Sequence, residues 1–161
     1  MDSIKQYLVV TIRDERFAFG IQYVQEILKE RAVTKIPTKV PYLMGVIQVR
    51  NQVIPLITMK KKMFDVEETG TLHNILIVNE PHVNRLIGLL VDEVLEVATI
   101  PDAIIDHPIL FQGRAGQEMV SGIAKLTKGL VVVIDVGMIF SDKDRQAFEK
   151  AIASGEKRLN A

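Results

Sequence analysis

Two fifteen-residue stretches of this chain, GVIQVRNQVIPLITM (45–59) and GIAKLTKGLVVVIDV (122–136), align end to end without a gap. Every strand position is apolar in both except Gln48, which falls opposite Lys125, and the polar tip Arg50-Asn51-Gln52 falls opposite Thr127-Lys128-Gly129. Apolar runs on either side of three polar residues predict a hairpin in each copy, with Asn51 as the residue that tolerates a left-handed turn. Upstream, FAFGIQYVQEIL and RLIGLLVDEVLEV share an apolar-Gly-apolar core, a carboxylate and a following apolar pair, with Gly20 on Gly88. The hairpins are offset by 77 residues and the upstream pair by 68, a difference of nine that loops absorb. A unit of about five short strands buries its own faces poorly, so its duplication predicts two small β-barrels side by side with a groove at their junction.

The remaining segments fit that plan. YLVVTI (7–12) and RFAFGI (16–21) form a predicted hairpin around Arg13-Asp14-Glu15, and HNILIVNE (73–80) joins RLIGLLVDEVLEV (85–97) through Pro81-His82-Val83-Asn84. Met59 to Phe64 reads as a short helical turn with Lys60, Lys61 and Lys62 on its exposed side, DVEETGTL (65–72) as a mobile connection, and 101–119 as an irregular loop. Ser141, with Asp144 three residues on, matches a capping box. Ala147, Phe148, Ala151 and Ile152 share one face before Gly155 ends the run, which places a C-terminal helix within 141–160.

At 161 residues the chain can bury roughly 70% of the surface its unfolded form exposes, so it needs no covalent staple. Twenty basic and twenty acidic residues cancel, which argues against broad electrostatic binding to nucleic acid. The absence of cysteine removes disulfides, thiolate metal sites and cysteine nucleophiles together. The N-terminal apolar run is too short for a signal peptide, and LIGLLV (86–91) and LVVVI (130–134) are strand-sized rather than membrane-spanning. A soluble, cytoplasmic protein without direct membrane insertion is expected.

Catalytic constellations are scarce. No serine lies in a nucleophile elbow, and His73, His82 and His107 have no metal-ligand spacing. Asp92 and Glu93, as neighbours at a strand end, face opposite ways and do not share acid–base work. The expectation is no catalytic residue, no metal and no cofactor. What stands out instead is charge within apolar pattern: Glu26 in YVQEILKE, where Val24, Ile27 and Leu28 follow helical spacing, and Arg50 at the tip of the central hairpin. The two either pair at a subdomain junction or are each solvated, and pattern alone leaves both open.

FAFGIQYVQEIL, TKIP (34–37) and GVIQVRNQVIPLITMKKKMF, in that order, resemble the CheW-like domain of chemotaxis coupling proteins, whose pattern runs FxxxIxxVQEI, TxIP, GVINLRGxIIPVIDLRxxF. RLIGLLVDEVLEV resembles the family's GLLVDxVxEV, and SGIAKLTKGLVVVIDVGMIF its SGIAKxDGRLIIILDLxKLL. The resemblance covers about residues 7 to 140. It implies a mainly β fold of two five-stranded SH3-like barrels, with short helices and a C-terminal helix, in which residues 1–161 form a single domain of two barrel subdomains with interleaved strands.

The resemblance also implies a non-enzymatic adaptor. It would couple the cytoplasmic tips of chemoreceptors (methyl-accepting chemotaxis proteins) to the regulatory domain of a CheA-type histidine kinase, recruited to membrane-associated arrays. Arg50 occupies the Arg of the family's NLRG turn and Glu26 the Glu of VQEI. Ile21, Val24, Ile27 and Val91 are candidate receptor-groove positions, each of which also fits core packing. Gln48 and Asn51 replace the Asn and Gly of that turn, and Thr58-Met59-Lys60 replaces Asp-Leu-Arg. A CheV-type coupling protein without a receiver domain is the alternative within the class. Outside it, an SH3-like barrel binding nucleic acid through Lys60 to Lys62, Lys125, Lys128 and Arg50 is disfavoured by zero net charge and few aromatics.

Overall fold

The computed structural model describes residues 4–29, 31–68, 73–108 and 118–160, with side chains through Ala153; parts of the expected connections at 65–72 and 101–119 thus lie outside the described residues. Among these residues eleven strands form two sheets: β1 (Ile4–Ile12), β2 (Glu15–Gly20), β3 (Val24–Lys29), β4 (Leu43–Val49), β5 (Gln52–Thr58), β6 (Asn74–Glu80), β7 (Arg85–Val91), β8 (Glu93–Pro101), β9 (Ile105–Asp106), β10 (Val120–Leu126) and β11 (Gly129–Ile134). Helix α1 (Met59–Phe64) follows β5, and α2 (Asp142–Asn160) follows β11.

One sheet runs β8-β1-β2-β11-β10-β9 and the other β3-β6-β7-β5-β4. The chain therefore opens the first sheet, builds the whole of the second, and returns to complete the first. The orders correspond strand for strand, and the extra β9 has its counterpart in the isolated bridge of Thr34 to Val46. In each sheet a hairpin docks in parallel on a neighbour, β5 on β7 and β11 on β2.

The hairpin offset of 77 holds in the register: Val46 faces Pro55 as Ile123 faces Val132. The upstream alignment shifts. Val24 and Glu26 flank a bulge against Val78 and Ile77, and Val94 and Glu96 flank the matching bulge against Val10 and Val9. The equivalent of Glu26 is thus Glu96, at an offset of 70, and the equivalent of Gly88 is Ala18 rather than Gly20. Turn length explains the two-residue slip. β1 and β2 are joined by Arg13-Asp14, both left-handed (φ 55° and 66°), whereas β6 and β7 are joined by four residues.

The repeated Gly45 and Gly122 have one physical cause. A Cβ on Gly45 would stand 2.3 Å from the carbonyl oxygen of Thr34, and one on Gly122 would stand 2.5 Å from that of Asp106. Both glycines admit the segment that crosses the hairpin's open edge.

The strands bury both faces. In β1, Tyr7 and Val9 enter the core of their own barrel while Leu8 and Val10 enter a central core; in β6, Ile75 and Ile77 go to one side and Leu76 and Val78 to the other. Period-two alternation between two apolar environments is why these strands read as unbroken hydrophobic runs. The central core draws Phe17, Phe19, Leu76, Leu89, Ile134 and others from both sheets, so the barrels share it. Helix α2 caps this core. Ser141 Oγ accepts from the Asp144 amide at 3.1 Å, Phe148 and Ile152 are buried, and Phe148 stacks on Phe140 at 4.7 Å. Ala147 faces solvent, and the helix continues through Gly155, which sequence periodicity took as its end.

Candidate functional site

Arg50 and Asn51 form the two-residue tip between β4 and β5, and it is Arg50, not Asn51, that adopts the left-handed conformation, with φ 57°. From there Arg50 Nη2 donates to Glu26 Oε1 at 2.9 Å, the guanidinium side chain 74% exposed and the carboxylate 25%. The bulge in β3 places Glu26 to receive it. Because β3 and β4 are opposite ends of one sheet, the pair fastens the barrel's rim. The second barrel repeats the device: Lys128, at the tip of β10–β11, lies 3.7 Å from Glu96 at the corresponding bulge of β8. Exposed apolar residues accompany both pairs in matching positions, Ile27 and Val53 in one barrel and Val97 and Leu130 in the other.

A groove of about 330 Å³ runs between β3 and the start of β8, lined by Ile27, Leu28 and Lys29 with the paired Asn74 of β6, and by Glu93 and Val94 of β8. The structure distributes the sequence candidates unequally. Ile27 lines this groove and is 45% exposed; Glu26 and Arg50 form the ion pair at the barrel rim. Ile21 and Val24 are half-buried against the central core, and Val91, 2% exposed, lies within it and offers a partner no side-chain surface. Sequence reading missed Lys29, Asn74, Glu93 and Val94. The repeat in its corrected register carries a signal for one of them, since Val94 is the counterpart of Val24.

Beside the ion pair, at the mouth of the same barrel, an amide-rich cavity of about 520 Å³ is lined by Gln25, Gln52, Asn79, Asn84 and Arg85 with Val53, Ile54 and Leu86. Asp92 and Glu93 face apart: Asp92 Oδ2 accepts from the Arg13 amide at 2.8 Å, while Glu93 lines the groove.

The lysines of α1 are not the solvated row that their sequence suggested. Lys60 lies 3.4 Å from Glu68 and 3.2 Å from Asp92. Burial works against its charge, but hydrogen bonds and charge from both carboxylates outweigh it and hold its pKa above the usual lysine value. Lys61 pairs with Asp65 and Glu67, whose hydrogen bonds push its pKa up to about 12. Lys62 contacts Asp144 at 3.1 Å and sits 4.6 Å above the Tyr42 ring, tying α1 to α2. Burial, with the charge of Asp144, raises the Tyr42 hydroxyl well above the usual tyrosine range. With these lysines, Lys128 and Arg50 all engaged internally, the cationic patch imagined for nucleic acid is largely spent.

Two barrels that share one core, meet at a groove and carry paired charges on their rims define a double-barrel β domain. The profile of the CheW-like domain family matches residues 6–144, and the chain belongs to that family. Among curated relatives it is 26% identical to a probable chemotaxis protein CheW of Rhizobium etli, over 89% of this chain and 92% of that one. It is 27% identical to the chemotaxis protein CheW of Helicobacter pylori, over 84% and 81%. Among solved structures, the scaffolding protein TtCheW of Thermoanaerobacter tengcongensis superposes with a TM-score of 0.75 at 28% identity, covering 86% of this chain and 94% of that one. The chain is thus similar along nearly its whole length to chemotaxis proteins CheW and to a scaffolding protein of that name, and its mainly β double barrel is their SH3-like fold.

Proposed function

We propose that this protein couples the cytoplasmic tip of a chemoreceptor to the regulatory domain of a CheA-type histidine kinase and does no chemistry of its own. The observation that carries the reading is the inter-barrel groove with Ile27 on its wall, adjoined in β3 by the Glu26–Arg50 pair. A receptor helix would lay apolar side chains against Ile27 and Val94, a helix-in-groove mode, while the ion pair orients it at the rim. Other barrel surfaces would meet the kinase. Among the described residues no helix is long and apolar enough to cross a membrane, so membrane association would come through the receptor.

Co-sedimentation of the protein with a receptor cytoplasmic fragment and its cognate kinase tests the assembly, and kinase autophosphorylation tests the coupling. The expected outcome is a ternary pellet and higher autophosphorylation only when all three components are present. No change in kinase activity with a verified cognate set would refute the reading.

A further inference from the structure

Where the β1–β2 turn meets the β7–β8 junction, at which the chain crosses from one sheet to the other, four side chains from separate segments converge: Lys60 of α1, Glu68 beyond it, His73 just before β6, and Asp92 between β7 and β8. Ligand atoms of Glu68, His73 and Asp92 all lie within 4.8 Å of one another. The His73 imidazole, 7% exposed, stands between the carboxylates, with Nε2 3.5 Å from Glu68 Oε1 and Nδ1 3.9 Å from Asp92 Oδ1.

Both carboxylates are held as metal ligands are held. The Thr58 hydroxyl donates to Glu68 Oε2 at 2.8 Å, and the Arg13 amide donates to Asp92 Oδ2 at 2.8 Å. These bonds fix the outer oxygens and leave the inner ones, Oε1 and Oδ1, turned toward the imidazole. Glu68 Oε1, on a side chain nine-tenths buried, has no well-formed hydrogen bond and only the long 3.4 Å contact to the Lys60 ammonium. Lys60 Nζ stands 3.4 Å from that oxygen and 3.2 Å from Asp92 Oδ1, one positive charge against two negative ones. With the imidazole neutral, the form in which histidine binds metal, two carboxylates face a single ammonium in a mostly buried site, an arrangement with room for a further cation.

We propose that Glu68, His73 and Asp92 bind a divalent transition-metal ion of the zinc class, which displaces the Lys60 ammonium from between the two carboxylates. One imidazole with two carboxylates suits Zn²⁺ or Co²⁺ better than the all-oxygen preference of Ca²⁺ and Mg²⁺. A divalent ion neutralises both carboxylates where the ammonium neutralises one, and the flexible lysine stem lets that ammonium swing out to water. No spacing in the sequence announces the site, because its ligands come from three segments brought together only by the barrel junction. His73 and Asp92 are chain neighbours of Asn74 and Glu93 in the groove wall, so occupancy would stiffen that wall.

The test uses the full chain, stripped with chelator and titrated with Co²⁺ followed by visible absorption and with Zn²⁺ followed by calorimetry. One ion per chain is expected. His73→Gln and Asp92→Asn, each checked for native circular dichroism, should weaken binding by at least about tenfold, and Lys60→Met should tighten it by about tenfold. No binding by the unmodified chain at millimolar Co²⁺ overturns the proposal. So does undiminished binding by folded His73→Gln and Asp92→Asn, which marks adventitious surface carboxylates. Binding by Lys60→Met alone also overturns it, because Lys60 is then the permanent cation of the cluster.

Discussion

A non-glycine residue in the left-handed region gives up roughly 1–2 kcal/mol, and Arg50 does so at the exposed tip of its hairpin. The backbone cost is not recovered in stability by the ion pair, since an exposed pair contributes about 0–1 kcal/mol. Arg50→Gly should therefore leave urea stability unchanged or raise it by about 1 kcal/mol, while chemical-shift titration with a receptor-tip fragment shows weakened binding. Arg50→Ala and Glu26→Ala should each weaken that binding, by roughly 2–5 kcal/mol if the partner closes over the pair. The double mutant should be little worse than either, as for a coupled unit. Additive losses would mean independent contacts, and a collapsed melting temperature would mean a structural role. Gly45 is the opposite case, a residue chosen for the fold. Its Cβ would meet a backbone carbonyl at 2.3 Å, so Gly45→Ala should cost about 1–3 kcal/mol in urea unfolding with no change in ligand preference. A neutral Gly45→Ala would show that the Thr34 crossing yields.

Most strands were legible in the sequence because their burial is two-sided; β3 was not, because Val24, Ile27 and Leu28 follow helical spacing, yet the segment is a strand paired with β6. Runs such as YLVV and NILIV admit no other periodic reading once the hairpin tips are marked. The helices were less so. Ser141 announced α2, but a single Gly155 did not end it, because one glycine costs only about 1 kcal/mol in a helix interior. The helix is anchored by packing: Phe148, fully buried and stacked on Phe140, should cost about 3–5 kcal/mol on replacement by Ala, read from denaturant midpoints. A loss below about 1 kcal/mol would mean that α2 is not part of the cooperative unit. In α1 the lysine triplet looked solvated because two of its partners, Asp92 and Asp144, lie far along the chain.

At the scale of the whole molecule, the central core takes side chains from both sheets, so neither barrel can unfold and leave the other intact. Urea unfolding should be a single transition, with far-UV circular dichroism and tyrosine fluorescence coincident, although two barrels are present. Separate midpoints would show that the shared core is weaker than its burial implies. The sequence by itself determined the duplication and the hairpins, which are written in local pattern: period-two burial, turn residues and a gapless offset. Its ordered motifs resembled the family, and it marked Arg50 and Glu26 while leaving their pairing open. It left open what depends on register and on distant segments meeting. Two residues of turn length moved the counterpart of Glu26 to Glu96, and the sharing of the central core by both sheets drew Val91 inward from the groove. Only the tertiary structure decided these points, because a strand's sequence shows that a face is buried and not which neighbour buries it.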